Sequence, residues 1–223
     1  MNPAAVIFDC DGVLVDSEVL AHEVELAVLS EIGLHYDRHE FTVRFMGRSD
    51  KVFFELLEAD GVARLGRSII DEIRPAMNAR YRHAIETRLT EVPGALAAIR
   101  ALRLPKAVAS SSTELGLAKK LRLVGHWDHF APHVYSAEHV EHAKPAPDLF
   151  LLAAKSLGFD PKDCLVIEDT VNGVTAGRAA GMRVWGFAGG GHMTDRVTPL
   201  LTEAGAERIV KNWAEAEALF IQL

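Results

Sequence analysis

Short runs of consecutive apolar residues recur along the chain, and most of them are rich in β-branched side chains. Runs without polar alternation are typical of strands buried on both faces, as in a parallel sheet covered by helices. Six strands are predicted, the third from a weak run and the last as an edge strand: residues 6–8, 106–109, 133–135, 165–167, 183–187 and 208–210.

The segments between the later runs carry helical patterns. Helices are predicted over residues 115–124, 147–157 and 172–180. The second begins on Pro147, and Gly158 and Gly181 follow the last two, which are typical residues for helix starts and ends. Strands that alternate with helices indicate a doubly wound, Rossmann-like α/β fold with a parallel sheet.

The interval between the first two strands, roughly a hundred residues, is far longer than one crossover helix requires. Four helices are predicted there, over residues 17–32, 37–47, 49–58 and 68–89. Asp37 and Glu40 form a capping-box pattern, Gly61 closes the third helix, and Pro75 marks a kink or the true first turn of the fourth. We therefore predict an α/β core of residues 1–16 and 89–223 and an inserted helical domain of residues 17–88.

Net charge, the lengths of the apolar runs and the number of cysteines limit the expected binding partners and location of the protein. The 223 residues carry a formal net charge of −7, which argues against nucleic acid and against an anionic membrane as main partners. No apolar run approaches the ~18 residues that a membrane span needs. Cys10 and Cys164 are too few for a disulfide framework, so we expect a cytoplasmic protein.

Polar side chains follow four of the predicted strands. They are Asp9 and Asp11 after the first, Ser110 to Ser112 after the second, Lys144 in the loop after the third, and Glu168 and Asp169 after the fourth. The carboxyl ends of parallel strands meet at one edge of the sheet, where ligands bind in open α/β folds. Each residue alone has a structural explanation as a helix cap or a solvated charge, but together they predict a site.

The residue types predict the chemistry of that site. Four carboxylates at one point repel each other unless a cation lies among them, and hard oxygen ligands without a Cys or His cluster favour Mg²⁺. Such a metal works on phosphoryl groups, which a lysine, hydroxyls and backbone N–H groups can hold. One aspartate can then attack phosphorus, and a second can carry the proton.

Four stretches, "FDCDGVLVDSE", "AVASSS", "HAKPAPDLF" and "VIEDTVNGVTAGRAAGM", occur in an order and spacing that resemble the haloacid dehalogenase-like hydrolase superfamily. The resemblance is to the branch with a helical cap inserted after the first strand, and it extends over essentially the whole chain. It implies that Asp9 is the nucleophile, that Asp11 is the general acid and base, and that Lys144 orients the nucleophile and neutralises charge.

The same resemblance implies the binding residues. Ser110 and the N–H of Ser111 would bind phosphate, and Mg²⁺ would be held by Asp9, the backbone carbonyl of Asp11, Glu168 and Asp169. Many relatives have glycine before the first metal aspartate and a second aspartate four residues after it, where this chain has Glu168 and Gly173. Glu168 is therefore expected to supply the missing carboxylate, directly or through water.

The same residues argue for or against the other activities of the superfamily. Dehalogenases lack the second aspartate and the metal carboxylates, and phosphonate hydrolysis needs a lysine in the cap, where only Lys51 is present. A sugar phosphomutase stays open as the alternative, although His22 lies one residue away from the expected histidine. A non-catalytic binding protein would be expected to lose Asp9, Asp11 or Lys144.

The predicted function is thus Mg²⁺-dependent hydrolysis of a small phosphate ester through an aspartyl-phosphate. A sugar phosphate or a phosphorylated sugar acid is the expected substrate class. Arg48, in "FMGRS", is a candidate contact to a second anionic group of the substrate. Monomer and homodimer both stay open.

Overall fold

The computed structural model describes residues 2–45 and 50–221. Its strands are β1 (Ala5–Phe8), β2 (Lys106–Ser110), β3 (Val134–Ser136), β4 (Cys164–Glu168), β5 (Arg183–Phe187) and β6 (Arg208–Val210). They form one parallel sheet in the order β3-β2-β1-β4-β5-β6. The predicted α/β fold class is confirmed, and every predicted strand is present.

The helices of the described residues surround this sheet or belong to the insertion. They are α1 (Ser17–Glu31), α2 (Arg38–Phe45), α3 (Asp50–Leu65), α4 (Ile70–Arg88), α5 (Ala95–Ala101), α6 (Glu114–Leu123), α7 (Trp127–Phe130), α8 (Asp148–Leu157), α9 (Val171–Ala179), α10 (Val197–Glu203) and α11 (Trp213–Phe220). In the described part of the chain, no helix is long and apolar enough to cross a membrane.

The sheet is buried on both faces, as the continuous apolar runs predict. Along β1, Val6 and Phe8 pack into one apolar cluster with residues of α5, α6 and α11, whereas Ala5 and Ile7 pack into a second cluster with α8, α9 and α10. None of these four side chains is exposed. Since successive residues of a strand point to opposite faces, each face must be apolar for the run to be unbroken.

The chain divides into two compact units, one of residues up to 18 together with those from 89 on, and one of Val19–Arg88. The described residues of the second unit form helices joined by short turns. Its interior holds the Phe41 and Phe45 rings, with centroids 4.8 Å apart. Arg80 on α4 is paired with Glu31 on α1 at 2.6 Å on its surface.

In the helical unit the prediction for Gly61 is wrong, and one of the two alternatives for Pro75 is excluded. Gly61 does not end a helix but lies inside α3, where a Cβ would come within 2.7 Å of the Ile69 side chain. Glycine is needed there because Ile69 packs closely against α3. Pro75 lies inside α4, which begins at Ile70, so Pro75 does not mark its first turn.

Candidate active site

The loop that leaves β1 carries the two aspartates. Asp9 extends the ladder, because its N–H donates to the Ile167 carbonyl of β4 at 2.9 Å. The chain then turns at Gly12, whose φ of 77° is in the left-handed region that favours glycine. A Cβ on Gly12 would also lie 1.9 Å from Oδ2 of Asp169, so this turn lets the aspartate loop approach the end of β4.

Lys144 binds Asp9 and Glu168 together. Its Nζ donates to Oδ1 of Asp9 at 2.6 Å, to Oε1 of Glu168 at 2.9 Å and to the Ala109 carbonyl at 2.9 Å. Burial by itself would lower the pKa of this lysine, but the two carboxylates outweigh it and raise the pKa above its ordinary value. Lys144 is therefore a fixed cation that holds the Asp9 carboxylate in one orientation.

Glu168 occupies the space that a side chain at position 173 would need. Its second oxygen, Oε2, accepts from the N–H of Thr170 at 2.7 Å and from the Thr170 hydroxyl at 2.9 Å. A Cβ on Gly173 would come within 1.6 Å of Oε1 of Glu168. The departure noted in the sequence thus has a physical reason, since the carboxylate at position 168 excludes any side chain at position 173.

Asp169 is buried and has no hydrogen-bond partner for either carboxylate oxygen within the described residues. Nε2 of His192 lies 3.1 Å from Oδ2, but the ring nitrogen is not aligned for a hydrogen bond. His192 follows β5 in a glycine-rich loop that Asp16 anchors by accepting from the Gly191 N–H at 3.0 Å. No local pattern in the sequence predicts this contact, because glycines around a histidine do not specify a partner.

Asp9, Glu168 and Asp169 form a buried acidic cluster, in which one oxygen of each residue lies within 4.8 Å of the others. Burial raises the pKa of Asp9 well above its ordinary value, against the charge of Lys144, and it also raises the pKa of Asp169. A cation among these oxygens would hold both groups ionised. The unpaired oxygens of Asp169 and the all-oxygen donor set fit Mg²⁺.

The side chain of Asp11 turns to a different set of partners. Its Oδ1 accepts from the Ser17 hydroxyl at 2.5 Å and from the Lys120 ammonium, and its Oδ2 accepts from the hydroxyls of Ser112 at 2.7 Å and Ser110 at 3.3 Å. Burial would raise the pKa of Asp11, but the charge and hydrogen bond of Lys120 and the serine hydroxyls outweigh it and lower the pKa to about 2.

The structure brings together most of the predicted site residues. Ser110 is buried at the end of β2 beside Asp11, and Ser111 is exposed on the following loop. The Asp11 carboxylate is not part of the acidic cluster found among the described residues. The metal contact predicted for Asp11 is through its backbone carbonyl, and it stays a prediction. Arg48 lies outside the described residues.

Lys120 and Ser17 are residues that the sequence reasoning missed. Lys120 is buried, although its neighbour Lys119 is exposed. Helical spacing from Leu117 and Leu121 places Lys120 on the apolar face of α6, which is the signal that could have identified it. His22, which bears on the phosphomutase alternative, lies in the helical unit with its ring centroid 6.0 Å from that of Phe41.

Known proteins are similar to this chain in sequence and in fold. A family model described as haloacid dehalogenase-like hydrolase matches residues 3–181. The chain is 28% identical to 6-phosphogluconate phosphatase of Escherichia coli (strain K12) over 198 residues, covering 89% of this chain and 88% of the relative. It is 32% identical to fructose-1-phosphate phosphatase YqaB of the same organism over 189 residues, covering 80% and 93%.

A solved structure extends the similarity to the whole fold. The crystal structure of a HAD family hydrolase from Deinococcus radiodurans R1, with bound phosphate and sodium, is 35% identical and superposes with a TM-score of 0.84, covering 98% of this chain and 95% of that one. The family and the phosphatase names of the relatives confirm the prediction of a phosphoric monoester hydrolase. The chain belongs to the haloacid dehalogenase-like hydrolase family.

Proposed function

We propose that the chain is a Mg²⁺-dependent phosphatase that hydrolyses a small phosphorylated metabolite, a sugar phosphate or a phosphorylated sugar acid, through an aspartyl-phosphate on Asp9. The observation that carries the proposal is the arrangement around Asp9, which is oriented by Lys144 beside the unpaired oxygens of Asp169. Relatives named for 6-phosphogluconate and fructose 1-phosphate support the substrate class.

In the first half-reaction, a carboxylate oxygen of Asp9 attacks phosphorus and the bond from phosphorus to the ester oxygen breaks. Ser110 and the N–H of Ser111 hold the phosphoryl oxygens, while Lys144 keeps Asp9 in line. Asp11 gives its proton to the departing oxygen, so that the alcohol leaves neutral. A phosphate dianion at the same serines raises the pKa of Asp11, since like charges disfavour ionisation, and the carboxyl can then hold that proton.

In the second half-reaction, water attacks the phosphorus of the aspartyl-phosphate and Asp11 takes a proton from it. The carboxylate of Asp9 is released with inorganic phosphate. Asp9, Glu168 and Asp169 would hold Mg²⁺, which when bound neutralises charge on the phosphoryl group. The carboxylates leave the site too negative for a phosphate ester unless that charge is balanced.

We also propose a cytoplasmic location and a small-molecule partner. Cys10 and Cys164 are both free and buried, which agrees with a reducing compartment. The net charge of −7 gives no support for binding to nucleic acid or to an anionic membrane.

The test is phosphate release from a panel of sugar phosphates and phosphorylated sugar acids, with Mg²⁺ and with a chelator. The panel includes fructose 1-phosphate and 6-phosphogluconate. We expect the release of inorganic phosphate to depend on Mg²⁺. Sugar-phosphate isomers are followed in the same samples. Rapid interconversion of isomers with little free phosphate would show a phosphomutase instead, and no turnover of any ester would contradict the proposal.

A further inference from the structure

The two aspartates of the β1 loop, only two residues apart, pair with different lysines. Asp9 accepts from Lys144, which comes from the loop after β3. Asp11 accepts from Lys120, which comes from α6, the helix that follows the phosphate-binding serines. Both lysine side chains are largely buried, with 3% of the Lys144 side chain and 7% of the Lys120 side chain exposed.

Lys120 joins Asp11 to the loop that follows β2. Its Nζ lies 2.7 Å from the Ser112 hydroxyl, and that hydroxyl donates to Oδ2 of Asp11 at 2.7 Å. One ammonium therefore fixes both a carboxylate of the β1 loop and a hydroxyl of the serine loop. Ser17 completes the contacts on Oδ1.

Removal of Lys120 would leave the Asp11 carboxylate, whose side chain is 19% exposed, without its counter-charge. Such a partly buried group moves toward another cation where it can, because a largely desolvated charge without a counter-charge is destabilising. The cations within reach of the β1 loop would then be Lys144 and the metal held by the acidic cluster, both on the side of Asp9. Asp11 would move away from the serine loop and toward the nucleophile.

We propose that Lys120 is a positioning residue that keeps the Asp11 carboxylate apart from the Asp9 metal cluster and directed at the leaving-group oxygen. This inference rests on the proposed phosphatase function, and it gives Lys120 a role in the step in which Asp11 transfers a proton to the leaving alcohol. Loss of Lys120 should therefore harm esters whose alcohol leaves poorly, and should spare esters whose alcohol leaves well without a proton.

The test compares two substrates in the same preparation of enzyme. The ratio of kcat/KM for fructose 1-phosphate to that for p-nitrophenyl phosphate does not depend on the folded fraction, and kcat/KM reports the steps up to departure of the alcohol. In Lys120→Met we expect kcat/KM to fall by about 100-fold for the sugar phosphate and by less than about 3-fold for the aryl phosphate. Lys120→Arg should restore part of the loss.

Two controls make the result specific. Lys119→Met removes the exposed neighbouring lysine and should leave both substrates at wild-type rates. Asp11→Asn should show the same selective loss as Lys120→Met, and the double variant should be no worse than Asp11→Asn alone, because residues that act as a unit are not additive. Equal losses on both substrates, no loss, or a faster sugar phosphate reaction in Lys120→Met would overturn the inference.

A binding measurement gives a second readout. Calorimetric titration of Lys120→Met with Mg²⁺ should show a dissociation constant equal to or lower than that of the wild type, since Asp11 is released toward the metal. Weaker Mg²⁺ binding would mean that Lys120 only supports the structure around the cluster. If the wild type hydrolyses no ester, the proposed function fails; if it is active and the substrate ratio does not change in Lys120→Met, only the role of Lys120 fails.

Discussion

The two halves of the candidate active site differ in how their charges are balanced. In the Asp9 half, three buried carboxylates face one lysine, and the oxygens of Asp169 have no hydrogen-bond partner within the described residues. In the Asp11 half, one carboxylate faces one lysine and three serine hydroxyls. A divalent cation would neutralise the first half, whereas the second is neutral without one.

The different charge balance of the two halves is reflected in the pKa values of the two aspartates, Asp9 and Asp11. Burial raises the pKa of Asp9, and the nearby acids add to it. Two residues on, the charge and hydrogen bonds of Lys120 and the serines overcome burial and lower the pKa of Asp11 to about 2. The fold thus separates a carboxylate beside other buried acids from one that is balanced by a lysine, which suits the nucleophile and the proton carrier that we propose.

The largest effect is expected where the Asp9 half loses the nucleophile that we propose. Asp9→Asn keeps the volume but removes the attacking oxygen, so turnover should fall by at least about 10³-fold. Phosphate release measures the rate, and circular dichroism with thermal unfolding checks that the fold is kept. Activity within about tenfold of the wild type would show that another residue attacks phosphorus.

The two metal acids should differ in importance. Asp169→Asn should raise the Mg²⁺ concentration for half-maximal activity by about 100-fold, because neither oxygen of Asp169 has a hydrogen-bond partner within the described residues. Glu168→Gln should raise it by only about tenfold, because Lys144 and Thr170 already engage its oxygens. Calorimetric titration of the same variants checks binding without turnover, and wild-type Mg²⁺ affinity in both would place the metal elsewhere.

The Glu168 carboxylate occupies the space of a side chain at position 173, and this can be tested by moving the carboxylate from position 168 to position 173. Gly173→Asp alone should lose Mg²⁺ affinity by about 10–100-fold, since its side chain overlaps the Glu168 carboxylate. The double variant Glu168→Gly with Gly173→Asp recreates the pattern of many relatives and should recover most of the affinity. A double variant as weak as Gly173→Asp would show that the carboxylate is required at position 168 itself.

The smallest effect concerns stability without substrate. The pKa values of Asp9 and Asp169 are raised in the folded protein, so their stabilising contribution is full below the unfolded pKa and is lost as pH rises through the folded value. Bound Mg²⁺ should offset the stability lost when these two carboxyl groups ionise. We therefore expect Mg²⁺ to raise the melting temperature by about 4 °C at pH 7.5, and by less at pH 5.5. Differential scanning fluorimetry with Mg²⁺ or a chelator measures both, and an equal shift at the two pH values would contradict the charge difference.

Much of the fold and of the Asp9 half could be predicted from local sequence. The unbroken apolar run at β1 requires a strand buried on both faces, and acids directly after β1 and β4 must then meet at one edge because these strands are adjacent and parallel. Helix ends were harder. Gly61 was wrongly predicted to stop α3, since a glycine that permits close packing and a glycine that ends a helix look the same in sequence.

Asp11 and its serines in the loop after β2 were predicted, but Lys120 was not. Helical spacing from Leu117 and Leu121 places Lys120, and not Lys119, on the apolar face of α6, whereas only the packing of α6 against the sheet brings its ammonium to Asp11. Likewise, the approach of His192 to Asp169 depends on where the loop after β5 lies on the Gly12 turn.

The sequence by itself determined the parallel sheet, the edge at which the acids gather and the residue types of the chemistry, because strand burial and strand ends are local properties of the chain. Only the tertiary structure decided which lysine pairs with which aspartate and which carboxylate has no hydrogen-bond partner within the described residues. The physical reason is that residues 11 and 120 lie more than a hundred positions apart, and their ion pair exists only once β1, β2 and α6 are packed together.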